Sequence, residues 1–104
     1  MSVRLRWTPR AQEDVLDIYE TIAADSLSAA ERIFDKIEES ANLLANHPRI
    51  GSRRAEIADD ARVMVVGNYL IFYRTLPDDE GVVDEVEITR VVHGHQDLGD
   101  ILRR

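Results

Sequence analysis

Arg90 and His93 stand three positions apart in the run Glu87-Ile88-Thr89-Arg90-Val91-Val92-His93-Gly94-His95. Of all the residues in this chain they are the best equipped for chemistry. Histidine exchanges a proton near neutral pH, so His93 is a candidate general acid or base. Arginine presents a planar fork of donors that fits a carboxylate or a phosphate. Two more arginines, Arg62 and Arg74, lie on neighbouring strand-like segments, toward the ends away from Gly67-Asn68. Together with Arg90 they make a candidate anion site, and with His93 a candidate target-binding surface. Each also has a plainer reading. Surface arginines are commonly just solvated, and a histidine at a strand end is commonly a polar terminus. Strict alternation puts Arg90 on the face of Val86, Ile88 and Val92, and a buried arginine is costly unless paired. Either the strand twists or bulges so that Arg90 leaves the core near the sheet end, or it serves a purpose there. A structural ion pair with an acid such as Asp97 or Glu87 is the more ordinary explanation for it.

Other chemistries find no support. No third ligand joins His93 and His95 at metal spacing, and His47 is remote in sequence. The chain has no cysteine, no phosphate-cradling glycine loop and no Gly-x-Ser-x-Gly elbow. No cofactor or metal is expected.

The elements that must position these residues can be read from pattern. Val3, Leu5 and Trp7 alternate with Arg4 and Arg6, which predicts a half-buried strand. Thr8-Pro9 predicts a capped helix start, and Glu13 and Asp14 in the early turns suit the helix dipole. Ala11, Val15, Ile18, Tyr19, Ile22 and Ala23 recur at helical spacing. Asp25-Ser26-Leu27 breaks that helix, and Ser28 to Glu31 reads as the capping box of a second. The second helix carries Ile33, Phe34, Ile37, Ala41 and Leu44 on one face and ends before Pro48. A loop is expected from Pro48 to Asp60. Strands follow at Arg62 to Val66 and Tyr69 to Thr75, joined by Gly67-Asn68, a two-residue hairpin signal. Tyr69, Ile71 and Tyr73 share one face, and Leu70, Phe72 and Arg74 the other. After a turn at Pro77 to Gly81 comes a last strand at Val83 to Val92. Leu98, Ile101 and Leu102 predict a short terminal helix or tail. The order gives an α+β fold, β-α-α-β-β-β, with a two-helix hairpin on a mostly antiparallel sheet, in one domain over residues 1–104.

The net charge is −7, which disfavours broad or sequence-specific nucleic-acid binding. The charge is segregated. Between Ala11 and His47 nine acids face only Arg32 and Lys36, while Arg49, Arg53, Arg54, Arg62 and Arg74 follow within the next thirty residues. No apolar run approaches the roughly 20 residues of a membrane span. A cytoplasmic location and no membrane partner are expected.

Five segments also resemble the RelE/ParE family of toxins from type II toxin–antitoxin pairs. Leu5 to Tyr19 is similar to that family's opening strand and helix, and Ser28 to Ile33 to its second helix start. Leu44-Ala45-Asn46-His47-Pro48-Arg49-Ile50-Gly51 looks like its Leu-Ala-x-x-Pro-x-x-Gly turn. Asn68 to Arg74 and Arg90 to Gly94 look like its hairpin signatures. The ParE-like branch fits better. It implies a non-enzymatic inhibitor of DNA gyrase, neutralised by a small ParD-like antitoxin. The RelE-like alternative implies a ribosome-dependent messenger-RNA endonuclease, with His93, Arg90 and Arg62 as its catalytic candidates. A third alternative is an inactive toxin that survives as partner and co-repressor of its antitoxin. The second hairpin strand, Arg62-Val63-Met64-Val65-Val66, is apolar where the nucleases are basic.

Overall fold

The computed structural model describes residues 3–78 and 81–94. His95, Asp97, the expected terminal segment with Leu98, Ile101 and Leu102, and part of the Pro77–Gly81 turn lie outside the described residues. Strand β1 (Arg4–Trp7) leads at once into helix α1 (Pro9–Ala23). Thr8 caps that helix, its hydroxyl accepting from the Ala11 N–H, and Pro9 occupies a position that needs no donor. Helix α2 (Leu27–Asn46) is capped by Ser26 rather than by the expected Ser28. Ser26 has the extended backbone that a cap requires, and its hydroxyl accepts from the Ala29 N–H.

Three further strands were expected, and four are present among the described residues: β2 (Ser52–Arg53), β3 (Arg62–Val66), β4 (Tyr69–Leu76) and β5 (Glu85–His93). The additional β2 lies inside the expected Pro48–Asp60 loop and pairs with Arg62 and Val63. The sheet order is β1-β5-β4-β3-β2, antiparallel except for the parallel pair β1–β5. This is the α+β arrangement that the element order implied. Gly67 sits at φ 59°, the left-handed conformation the β3–β4 turn needs and other residues adopt at a cost.

The helices cover one face of the sheet. Ala11, Ile37, Ala41 and Leu44 pack against Ile71, Tyr73, Val86, Ile88 and Val91. A smaller cluster on the other face joins Val63, Phe72 and Val92 with Leu70 and Ile57. The division of β5 between the two clusters departs from strict alternation. Tyr73 opposes Ile88 and Phe72 opposes Arg90, so Thr89 is an extra residue and its hydroxyl donates to the Phe72 carbonyl at 3.1 Å. The bulge changes the parity of every residue after it. Val91, not Val92, joins Val86 and Ile88 on the helix side, and Val92 goes to the opposite cluster.

Candidate functional site

The bulge also decides the place of Arg90. β1 follows β5 only as far as Ile88, because Thr8 turns the chain into α1. Beyond that point α1 lies along the uncovered edge of β5. Asp14 reaches across, and its carboxylate takes Arg90 Nε at 2.7 Å, Arg90 Nη2 at 3.2 Å and the Val91 N–H at 2.9 Å. Arg90 and Asp14 are 8% and 7% exposed, so this is a buried, two-pronged ion pair. The expected acid, Glu87, is engaged elsewhere. Asp14 itself is no exposed dipole acid, as its place in the first turns had implied. One signal in the sequence could have revealed it. Asp14 is three residues after Ala11 and four before Ile18, an acid set into the apolar stripe of α1. An acid on one apolar face and an arginine on another are natural partners.

His93 ends β5 beside Tyr69 of β4, the two rings meeting edge to face with centroids 5.2 Å apart. The Gly94 N–H donates to the Asn68 carbonyl at 2.8 Å, which fixes the strand end against the hairpin turn. His93 is half-buried and lines a cleft of about 330 Å³ together with Arg10, Asp17, Thr21, Tyr69 and the Arg90–Asp14 pair.

Arg62 lies at the opposite end of the hairpin, paired in register with Tyr73. Its Nη1 donates to the carbonyl oxygens of Arg49 at 3.3 Å and Gly51 at 3.0 Å, and its Nε is buried with no hydrogen-bond partner among the described residues. The Tyr73 hydroxyl accepts from the Gly51 N–H at 2.8 Å. Burial pushes the Tyr73 phenol above its ordinary value of 10.0, against the opposing pull of the Gly51 hydrogen bond and the Arg62 charge. A β-carbon at Gly51 would stand 2.5 Å from the Tyr73 oxygen and 2.7 Å from the Val63 carbonyl, so the close approach requires glycine. The Pro48–Gly51 turn is therefore bolted to the sheet. Arg49 extends the bolt, donating to the carbonyls of Asp78 at 3.4 Å and Gly81 at 3.0 Å.

Arg74, on the face away from the helices, bonds Glu87 at 2.7 Å and Asp60 at 3.4 Å. Glu87 also pairs with Arg6, and Glu85 with Arg4 and Arg6. The structure thus brings His93 and Arg90 to one cleft and leaves Arg62 and Arg74 outside it. His93 opposes Tyr69 and Arg62 opposes Tyr73, four residues further along β4. At the usual rise per strand residue that is roughly 13 Å. Arg62, Arg74 and Arg90 serve three separate places, each engaged by its own partners.

A larger cleft, of about 670 Å³, went unnoticed in the sequence because both helix stripes were assigned to the sheet. It opens between α1 and α2 beside Trp7 and is lined by Val15, Leu16, Tyr19 and Phe34 among others. Leu16 and Phe34 stay 56% and 39% exposed.

A helical hairpin on one face of a small mixed sheet, with an open apolar cleft between the helices, defines a compact α+β protein. Residues 5–98 match the family model described as ParE toxin of type II toxin-antitoxin system, parDE. The chain belongs to this ParE toxin family, within the wider RelE/ParE group. It is 33% identical over 101 residues to a Sinorhizobium fredii protein named "Putative toxin Y4kP", covering 95% of this chain and 96% of that one. Its fold is similar to a chain of the chromosomal ParDE TA system from P. aeruginosa (TM-score 0.69, 20% identity, 88% of this chain and 95% of that one). It is also similar to a chain of the toxin-antitoxin complex RelBE2 from Mycobacterium tuberculosis (TM-score 0.63, 24% identity, 89% and 99%). Among the described residues no helix is long and apolar enough to cross a membrane, and no group of three or more His, Cys, Asp or Glu could hold a metal ion.

Proposed function

We propose that this protein is a growth-inhibiting toxin that acts by binding DNA gyrase and is silenced by a small antitoxin. The observation that carries the choice of target is the separation of Arg62 from His93 along β4. A ribonuclease needs its cation and its acid–base groups within hydrogen-bond reach of one phosphodiester. Here Arg62 is spent on the carbonyls of a turn and Arg90 on Asp14. A net charge of −7 also disfavours docking on RNA. The antitoxin reading draws on the family and on the open cleft between α1 and α2, where an amphipathic helix would cover Leu16, Phe34 and Trp7.

Induction in growing cells tests the target, with messenger-RNA integrity and plasmid supercoiling followed together. Gyrase binding predicts DNA-damage signalling and altered supercoiling without site-specific messenger cleavage. It also predicts that His93→Gln keeps most of the toxicity. One observation favours the nuclease alternative: His93 shares its cleft with Arg10 and Arg90. A catalytic His93 would lose roughly 10²–10⁴-fold of its rate on His93→Ala. Discrete cuts at the ribosomal A site, abolished by His93→Gln, would replace the gyrase reading with the nuclease.

A further inference from the structure

We propose that the α1–α2 cleft selects its partner helix by charge, accepting an apolar stripe that carries lysine or arginine along one flank only. The inference rests on the antitoxin reading and adds to it the chemistry and orientation of the segment that is recognised.

The two walls of the cleft differ. α1 contributes Gln12, Val15, Leu16 and Tyr19, none of them charged. α2 contributes Phe34 and Ile37, with Glu31, Asp35 and Glu38 beside them. The three acids fall at i, i+4 and i+7, a single stripe running about 10 Å along the helix. Arg32 and Lys36, the only bases of α2, each follow one of these acids and so point about 100° further round the helix, away from the cleft. Among the described residues none of the three carboxylates forms an ion pair. The cleft therefore has an apolar floor, a neutral wall and an acidic wall whose charges meet no cation among the described residues.

A helix lying in such a groove meets different chemistry on its two sides. Leucine-type residues at i, i+3 and i+4 would cover Trp7, Val15 and Phe34. The flank over α2 must bring cations at about one per turn, or at least no acids. The flank over α1 has no such requirement. Reversing the helix direction would carry the cations to the neutral wall, so the acid stripe also fixes which way the helix runs.

The test uses the full-length protein and two synthetic helical peptides with the same leucine stripe. One carries three lysines on a single flank, the other three glutamates at the same positions. Binding is read from Trp7, the only tryptophan in the chain and part of the cleft, and from the anisotropy of labelled peptide. Exposed ion pairs differ from unpaired groups by a few-fold each, so three of them predict about tenfold or more in favour of the lysine peptide. The gap should narrow in 1 M salt, where screening acts over about 3 Å. Glu31→Lys combined with Asp35→Lys and Glu38→Lys should invert the order of the peptides. If that variant does not fold, Glu31→Gln with Glu38→Gln should shrink the gap to about two- or threefold. Equal affinity of the two peptides, or an unchanged order in the variants, would overturn the proposal. Growth arrest by the wild-type chain, and its relief by the product of an adjacent gene, separates this inference from the reading beneath it. Relief by a product whose docking helix lacks a basic flank overturns charge selection and leaves the antitoxin reading. Absence of arrest and relief, with the peptide preference intact, does the reverse.

Discussion

On one flank of β4, opposite Phe72, Arg90 meets a carboxylate; on the other flank, opposite Tyr73, Arg62 meets the carbonyl oxygens of a turn. Both guanidinium groups are drawn into the structure, but the consequences differ. Asp14 answers the charge of Arg90 with an opposite charge and answers the Val91 N–H as well, so one side chain closes a strand edge and an ion pair together. Arg62 lies beside a phenol and two carbonyl dipoles, with one nitrogen lacking a hydrogen-bond partner among the described residues. The first arrangement holds a helix to the sheet. The second holds a loop, and asks for glycine and tyrosine at fixed places to do so. Arg74 shows the third case, a half-exposed arginine shared between two acids.

The comparison can be broken most forcefully at Arg90. Removing one partner of a buried pair strands the other, so Arg90→Ala or Asp14→Ala should each lower stability by roughly 3–5 kcal/mol in urea melts. Replacing both, Arg90→Met with Asp14→Leu, should cost less than either alone. An Arg90→Ala protein that is stable but non-toxic would mean that the arginine serves the target instead. Next in size is Gly51→Ala, at about 1–3 kcal/mol, because the Val63 carbonyl is backbone and cannot swing aside. Tyr73→Phe should follow at about 1 kcal/mol, for the lost acceptor of the Gly51 N–H. That variant also carries a pH signature. Since Tyr73 holds its proton more tightly folded than unfolded, its contribution is complete below pH 10 and is lost as pH rises beyond. The difference between wild type and Tyr73→Phe should therefore narrow in melts above pH 10. Arg74→Ala should be mildest, within about 1 kcal/mol, because Glu87 retains Arg6 and the site is solvated.

Much of the fold could be read from the sequence because its signals were local. Thr8-Pro9, the stripe of α1 and the Gly67-Asn68 turn each act within a few residues, and each element appears where its signal lay. The cap of α2 was misplaced by two residues, since Ser26 and Ser28 cannot be ranked without the backbone of Ser26 in view. The candidate site was far less legible. The partner of Arg90 lies 76 residues away, and the bulge that redirects it shows in the sequence only as an arginine on the core face of the alternation, which does not say where the extra residue falls. The three arginines part for a reason that spacing does not show. Arg90 opposite Phe72 and Arg62 opposite Tyr73 stand one position apart along β4, but on its two flanks. Arg90 is drawn to Asp14 of α1 and Arg62 to the carbonyls of the turn at Arg49 and Gly51. The apolar cleft was hidden because a helical stripe says that a face will be covered without saying by what.

β1 has one neighbour in the sheet, β5, and the two are separated by nearly the whole described chain. Closing a loop of about eighty residues is entropically costly, and nothing repays that cost until β5 exists. During synthesis the first strand made must therefore wait for the last. α1 waits with it, since the Arg90 that holds Asp14 to the sheet arrives with β5. The helical hairpin can form early from its own contacts, but it cannot be seated. Docking of the first strand is consequently a late step, and an interrupted chain lacking β5 would have no edge on which to dock its own beginning.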